Sequence, residues 1–190
     1  MKLIATNISN LTDARFFAAY LPEIMVLPAL KHDESIADRL QWFDQIRSWI
    51  EGPEWALTCT SYPSEKDMEM MSESGIATIL HSCDIADFKA VAGFRNFLIS
   101  NVGDPDLKNL PSQAIDALIV TDVNIGYDDP TNRLPADPPI YLEVKSMQHW
   151  LRVKCWADRI CGIVLRGGEE EKVGIKSYDQ LREVCEAIMD

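Results

Sequence analysis

The stretch Leu3-Ile4-Ala5-Thr6-Asn7-Ile8-Ser9-Asn10-Leu11-Thr12-Asp13-Ala14 decides the fold. Its first three residues form an unbroken apolar run, which reads as a strand buried on both faces. A polar turn follows, and Asn10 stands immediately before Leu11, where its side-chain oxygen can accept an orphan helix N–H. Leu11, Ala14, Ala18 and Leu21 then recur at helical spacing and predict an apolar stripe on one side of a helix. A doubly buried strand followed by a helix is half of a parallel unit: the next strand lies beside the first, reached by a right-handed crossover.

The same pattern repeats outward along the chain. Further apolar runs are Ile24 to Leu27, Trp55 to Cys59, Ile76 to Leu80, Phe97 to Ile99, Ala117 to Val120, Ile140 to Leu142 and Gly162 to Leu165. Helical stripes lie between some of them, in Ile36, Leu40, Phe43, Arg47 and Ile50, and in Tyr178, Leu181, Val184 and Ile188. Ser64 with Asp67, Asp84 with Asp87 and Ser177 with Gln180 mark further helix starts. Eight strands alternating with helices favour a closed α/β barrel, a (β/α)8 TIM barrel, over an open doubly wound sheet. At 190 residues it is a small one, read as a single domain spanning 1–190.

Two helical segments are expected to be irregular. The fifth, Asp104-Pro105-Asp106-Leu107-Lys108-Asn109-Leu110-Pro111, is short and bracketed by prolines, so it predicts a turn or two at most. The sixth, from Asn124 to Pro139, carries four prolines and little apolar periodicity, and predicts a long loop over the barrel mouth.

Composition narrows the function. A net charge of -12 opposes the counterion-release binding that nucleic acid requires, so no nucleic-acid partner is expected. The apolar runs are strand-sized, far short of the ~20 residues that cross a bilayer, and predict no membrane span. Cys59, Cys83, Cys155, Cys161 and Cys185 form an odd set without CxxC or Cys/His spacing, and Met1-Lys2-Leu3-Ile4 lacks a signal-peptide apolar region. A cytoplasmic protein with reduced thiols is expected. His32, His81 and His149 are dispersed, which gives no metal site, and Gly167-Gly168 is too short for a dinucleotide turn, so no cofactor is expected.

In such a barrel the chemistry gathers at the C-terminal ends of the strands. The residues just beyond the apolar runs are Thr6 and Asn7, Pro28, Thr60, His81, Ser100 and Asn101, Thr121 and Asp122, Glu143 and Lys145, and Arg166 with Gly167-Gly168. Strand ends also turn polar merely because they reach water. Glu143 and Arg166 stand out because the seventh and eighth strands flank the usual phosphate position of these barrels.

The chain resembles phosphoribosylanthranilate isomerase, the barrel enzyme of tryptophan biosynthesis. Ile4-Ala5-Thr6-Asn7-Ile8-Ser9-Asn10-Leu11-Thr12-Asp13-Ala14 follows the family's opening K-I-C-G-I-T-N-L-E-D-A, and Thr78-Ile79-Leu80-His81 follows V-Q-L-H. Leu165-Arg166-Gly167-Gly168-Glu169 and Val173-Gly174-Ile175-Lys176-Ser177 stand where the family has S-S-G-V-E and P-G-I-K-D. The resemblance implies an Amadori rearrangement of a phosphoribosyl amine, with a cysteine base ending the first strand and an aspartate acid ending the sixth. The matching positions here hold Thr6 and Thr121, whose hydroxyls do not titrate near neutral pH. A one-residue slip would bring in Asp122, but on the opposite face of the strand. The family's S-P-R after the second strand, its G-G-T-G-K loop after the sixth and its G-G after the seventh are likewise replaced, the last by Glu143-Val144.

Three functions follow as alternatives. One is a divergent barrel that lacks the isomerase activity and acts on or binds another small anionic metabolite, with His81, Glu143 or Asp122 moving protons. Another is an authentic phosphoribosylanthranilate isomerase. The third is a non-catalytic binding or assembly subunit, such as a homodimer through the second helix, where Trp42, Ile46 and Trp49 form a second apolar stripe that is either exposed or part of one wide buried face. At the mouth, Asn7, Arg166, Gly167 and Gly168 are the candidate ligand contacts. Arg166 either holds an anion beside the Gly167-Gly168 amides or closes the site by pairing with Glu143, and the cost of an unpaired charge favours the pair.

Overall fold

The computed structural model describes residues 1–121, 134–167 and 177–189. Eight parallel strands close in sequence order: β1 Lys2–Thr6, β2 Ile24–Leu27, β3 Glu54–Cys59, β4 Ile76–His81, β5 Arg95–Asn101, β6 Ala117–Thr121, β7 Ile140–Glu143 and β8 Gly162–Arg166. The expected (β/α)8 barrel is therefore the observed fold, and every apolar run falls inside a strand. Closure between β8 and β1 depends on Gly162, because a Cβ there would run into the Lys2 backbone.

Side chains alternate about this wall, apart from a register irregularity where β3 meets β4 at Trp55 and Ala56. Ile4, Ile24, Val26, Ala56, Leu80, Phe97, Ala117, Ile119, Tyr141 and Val164 point inward and pack as one cluster. Their neighbours, among them Leu3, Met25, Leu57, Ile79, Leu98, Leu118, Leu142 and Ile163, point outward under the helices. Arg95 closes the N-terminal end. Its guanidinium pairs with Glu54 at 2.8 Å and lies 4.9 Å from the Phe97 ring centre. Nearby, Tyr141 donates to Glu23 at 3.2 Å.

Five α-helices are described: α1 Leu11–Ala18, α2 Ile36–Arg47, α3 Glu65–Glu73, α4 Met147–Val153 and α5 Asp179–Met189. Asn10 caps α1 by accepting from Asp13 N at 2.8 Å, and Ser64 with Asp67 forms the expected capping box of α3. Ser35 with Asp38 forms a second box at α2.

Two expectations, a helix start at Asp84 and a buried Leu21, need correction. Asp84 makes no cap hydrogen bond, and only a 3-10 turn, Ile85–Asp87, follows β4. The Asn96 side chain accepts from Val91 N at 2.8 Å and donates to the carbonyls of Val91 and Phe94, so the cover here is an irregular segment tied to β5. Leu21 is 82% exposed and sits at φ 49° just past α1, whose buried face is Asp13, Ala14 and Phe17. The two stripes of α2 merge: Ile46 is buried and Trp42 half-buried, but Trp49 lies beyond the helix, 66% exposed, with the Arg15 guanidinium 5.5 Å from its ring centre.

The fifth helical segment is two 3-10 turns, Pro105–Asn109 and Ser112–Ala114, as its prolines predict. Most of the expected sixth loop lies outside the described residues, and residues 134–139 carry no helix. No helix among the described residues is long and apolar enough to cross a membrane.

Candidate functional site

The strand ends enclose a cavity of about 840 Å3 at the C-terminal mouth of the barrel. Thr6, Asn7, Pro28, Thr121, Glu143, Lys145, Arg166 and Gly167 all line it, so the structure brings most of the sequence-selected residues together. Asp122 and Gly168 lie outside the described residues.

His81 does not belong to this set. It is the last residue of β4 and its side chain points outward, 4% exposed, with Nε2 2.9 Å from Asn96 Oδ1 and its ring edge-on to Phe88. Burial pulls its pKa below the ordinary value, with the Asn96 hydrogen bond opposing. Proton transfer at the mouth by His81 is excluded by this placement, because Leu80 and Ser82, one residue either side, hold the inward positions. Thr60 lines a separate surface pocket beside Tyr62, and Ser100 turns outward to Asp104 at 3.2 Å. Thr58 and Ser82 line the mouth but were not selected from sequence. Counting in twos from Ala56 and Leu80, both of which face the interior, would have found them.

Thr6 and Thr121 face the cavity from strands on different sides of it. Thr6 Oγ1 donates to the Leu165 carbonyl at 3.4 Å and Thr121 Oγ1 to the Ser100 carbonyl at 3.3 Å. Each hydroxyl proton is thus engaged with a neighbouring strand, and what the pair presents to a ligand is acceptor lone pairs.

The β1 and β8 ends are stitched together beneath the mouth. Gly167 N donates to the Thr6 carbonyl at 2.7 Å, and Asn7 Nδ2 returns a bond to the Gly167 carbonyl at 2.9 Å. Asn7 adopts φ 59°, a left-handed conformation that asparagine tolerates better than most residues. A Cβ on Gly167 would stand 2.8 Å from the Asn7 carbonyl oxygen, so only glycine fits this approach.

Among the described residues, the charge lining the cavity lies on the β7–β8 side, in Glu143, Lys145 and Arg166. The expected ion pair between Glu143 and Arg166 is not formed, and among the described residues neither side chain pairs with any other. Glu143 lies level with Val164, while Arg166 lies level with Thr6, two residues further along β8. Strand rise and spacing then put the two Cα atoms about 8 Å apart. Arg166 is exposed at the rim and Glu143 half-buried below it.

Fold and site thus define a (β/α)8 barrel whose strand-end mouth is equipped with hydroxyls on one side and mixed charge on the other. Solved structures with a similar fold include the phosphoribosyl anthranilate isomerase of Thermus thermophilus, at TM-score 0.66 and 16% identity over 100% of this chain and 98% of that one. The N-(5'-phosphoribosyl)anthranilate isomerase of Pyrococcus furiosus is similar at TM-score 0.66 and 13% identity, covering 98% and 97%. An aldolase/citrate lyase family protein of Burkholderia cenocepacia also matches, at TM-score 0.63 and 8% identity over 100% and 93%. No family model and no curated protein matches the sequence. At these identities the shared property is the barrel, which hosts unrelated chemistries.

Proposed function

We propose that this protein is a divergent phosphoribosylanthranilate isomerase-like barrel of the cytoplasm that lacks the Amadori rearrangement and binds or transforms another small anionic metabolite at its strand-end mouth. The observation that carries this reading is the state of Thr6 and Thr121, which occupy the positions of the resembled family's base and acid. Both line the cavity, and both spend their hydroxyl protons on strand carbonyls. Loss of a general acid or base costs about 10²- to 10⁴-fold for each role. The cavity itself is retained, with Arg166 at its rim and Lys145 beside it. A guanidinium can take an oxyanion through two parallel hydrogen bonds.

The test is an assay of the purified protein on phosphoribosylanthranilate. No rearrangement is expected, and turnover on the order of 1 s⁻¹ or more would overturn the reading. The double variant Thr6→Cys with Thr121→Asp separates the causes: a gain in rate assigns the loss to proton transfer, and no gain assigns it equally to the altered binding loops.

A homodimer through the second helix is a further proposal, favoured by the exposure of Trp49 at its C-terminal end. Sizing of the wild type against Trp49→Ser tests it, and a wild-type monomer at high concentration rejects it.

A further inference from the structure

Glu143 and Arg166 carry opposite charges on adjacent strands, face the same cavity, and do not meet. Elsewhere in this molecule opposite charges that come within reach of each other do pair. Arg39 reaches Glu34 at 2.7 Å through Nε, and Arg95 reaches Glu54 at 2.8 Å. The mouth therefore holds a cation at its rim and, on the neighbouring strand, a half-buried carboxylate that is not paired with it and whose acceptor capacity only a donor can fill.

A ligand with oxyanions alone would be attracted to Arg166 and repelled by Glu143, and a ligand with amines alone would meet the reverse. A molecule bearing one of each satisfies both. Ile99, Ile119 and Leu80 supply apolar wall for the carbon skeleton between them. Building on the reading of the mouth as a ligand site, we propose that it selects a small zwitterion, whose carboxylate or phosphate group pairs with Arg166 and whose ammonium group pairs with Glu143.

Calorimetric titration at pH 7 and low salt tests this with 5-aminopentanoate and phosphoethanolamine, against pentanoate, pentylamine and glycerol phosphate. The zwitterions are expected to bind at least tenfold more tightly than their single-charge or hydroxyl counterparts. Glu143→Gln should erase that preference while leaving inorganic phosphate bound as well as before or better. Arg166→Gln should abolish both, and Arg166→Lys should partly restore them, which distinguishes lost charge from lost structure. If pentanoate or glycerol phosphate binds as tightly as the zwitterion, the proposal falls. If phosphate still binds through Arg166 in that case, the anionic-metabolite reading survives without it. Failure of both phosphate and zwitterions to bind the wild type overturns both.

Discussion

Tyr178 donates its phenolic hydrogen to Asp13 over 2.6 Å, joining the start of α5 to the first turn of α1. Asp13 is fully buried and also accepts from Ser9 Oγ at 3.0 Å and Asn10 Nδ2 at 3.1 Å, while the Tyr178 ring stacks on Phe16 at 4.4 Å. The contact closes the barrel's outer layer across the β1–β8 seam. Tyr178→Phe keeps the stacking and deletes the bond to a buried carboxylate, which should cost about 1.5–3 kcal/mol of stability in urea unfolding. A change within about 0.5 kcal/mol would place the strength of the seam elsewhere.

Gly167 and Asn7 set the floor of the mouth on that same seam. Gly167→Ala drives a methyl against the Asn7 carbonyl and should destabilise by about 1–3 kcal/mol, as overpacking does. Asn7→Gly keeps the left-handed backbone and loses only the bond to the Gly167 carbonyl, so it should cost about 0.5–1.5 kcal/mol. The reverse order of the two losses would contradict the steric account.

Acid should weaken the fold through His81. Its folded-state pKa lies below its ordinary value because of burial, so below about pH 6.5 the unfolded chain takes up a proton that the folded chain resists. The contribution is complete above that pH and is lost as pH falls toward the folded value. Urea midpoints measured from pH 7 to 5 should fall, and His81→Gln should flatten the decline over that range. Because His81 faces away from the cavity, the same variant should leave ligand binding at the mouth unchanged.

Alkali should act through the buried Cys185 and the half-buried Cys59 thiols. Burial pushes Cys185 up to about 12, with Glu186 adding to it, and Cys59 up to about 11. Above pH ~9 the unfolded chain releases protons that the folded chain keeps, so stability falls by about 1.4 kcal/mol per pH unit for a fully buried thiol such as Cys185. The loss continues until the folded thiol itself ionises. Cys185→Ala should reduce the slope between pH 9 and 10, before tyrosines contribute, and an unchanged slope would assign the loss to other groups.

How much of this was legible beforehand differs by level. All eight strands were readable, because a doubly buried strand demands a continuous apolar run and nothing else in a short sequence imitates one so often. Helices were readable where a capping side chain announced them, as at Asn10 and Ser64. They were misread where the same residue type stood before a segment with other commitments, as at Asp84, since a cap offers acceptors but cannot hold a helix whose backbone is bonded to Asn96 instead.

The sequence by itself determined which residues stand at the strand ends, Thr6 and Thr121 among them. Local patterning reaches that far because strand limits are marked by the change from apolar to polar residues. Only the tertiary structure decided which of those residues share the cavity. His81 and Glu143 both end strands, yet one turns outward to Asn96 and the other inward, a difference of parity that depends on each strand's alignment with its neighbours. The same register holds Glu143 level with Val164 and Arg166 level with Thr6, which places the two charges at different heights of the mouth. Separation along paired strands arises from hydrogen bonds between residues far apart in the chain, and no local run of residues encodes it.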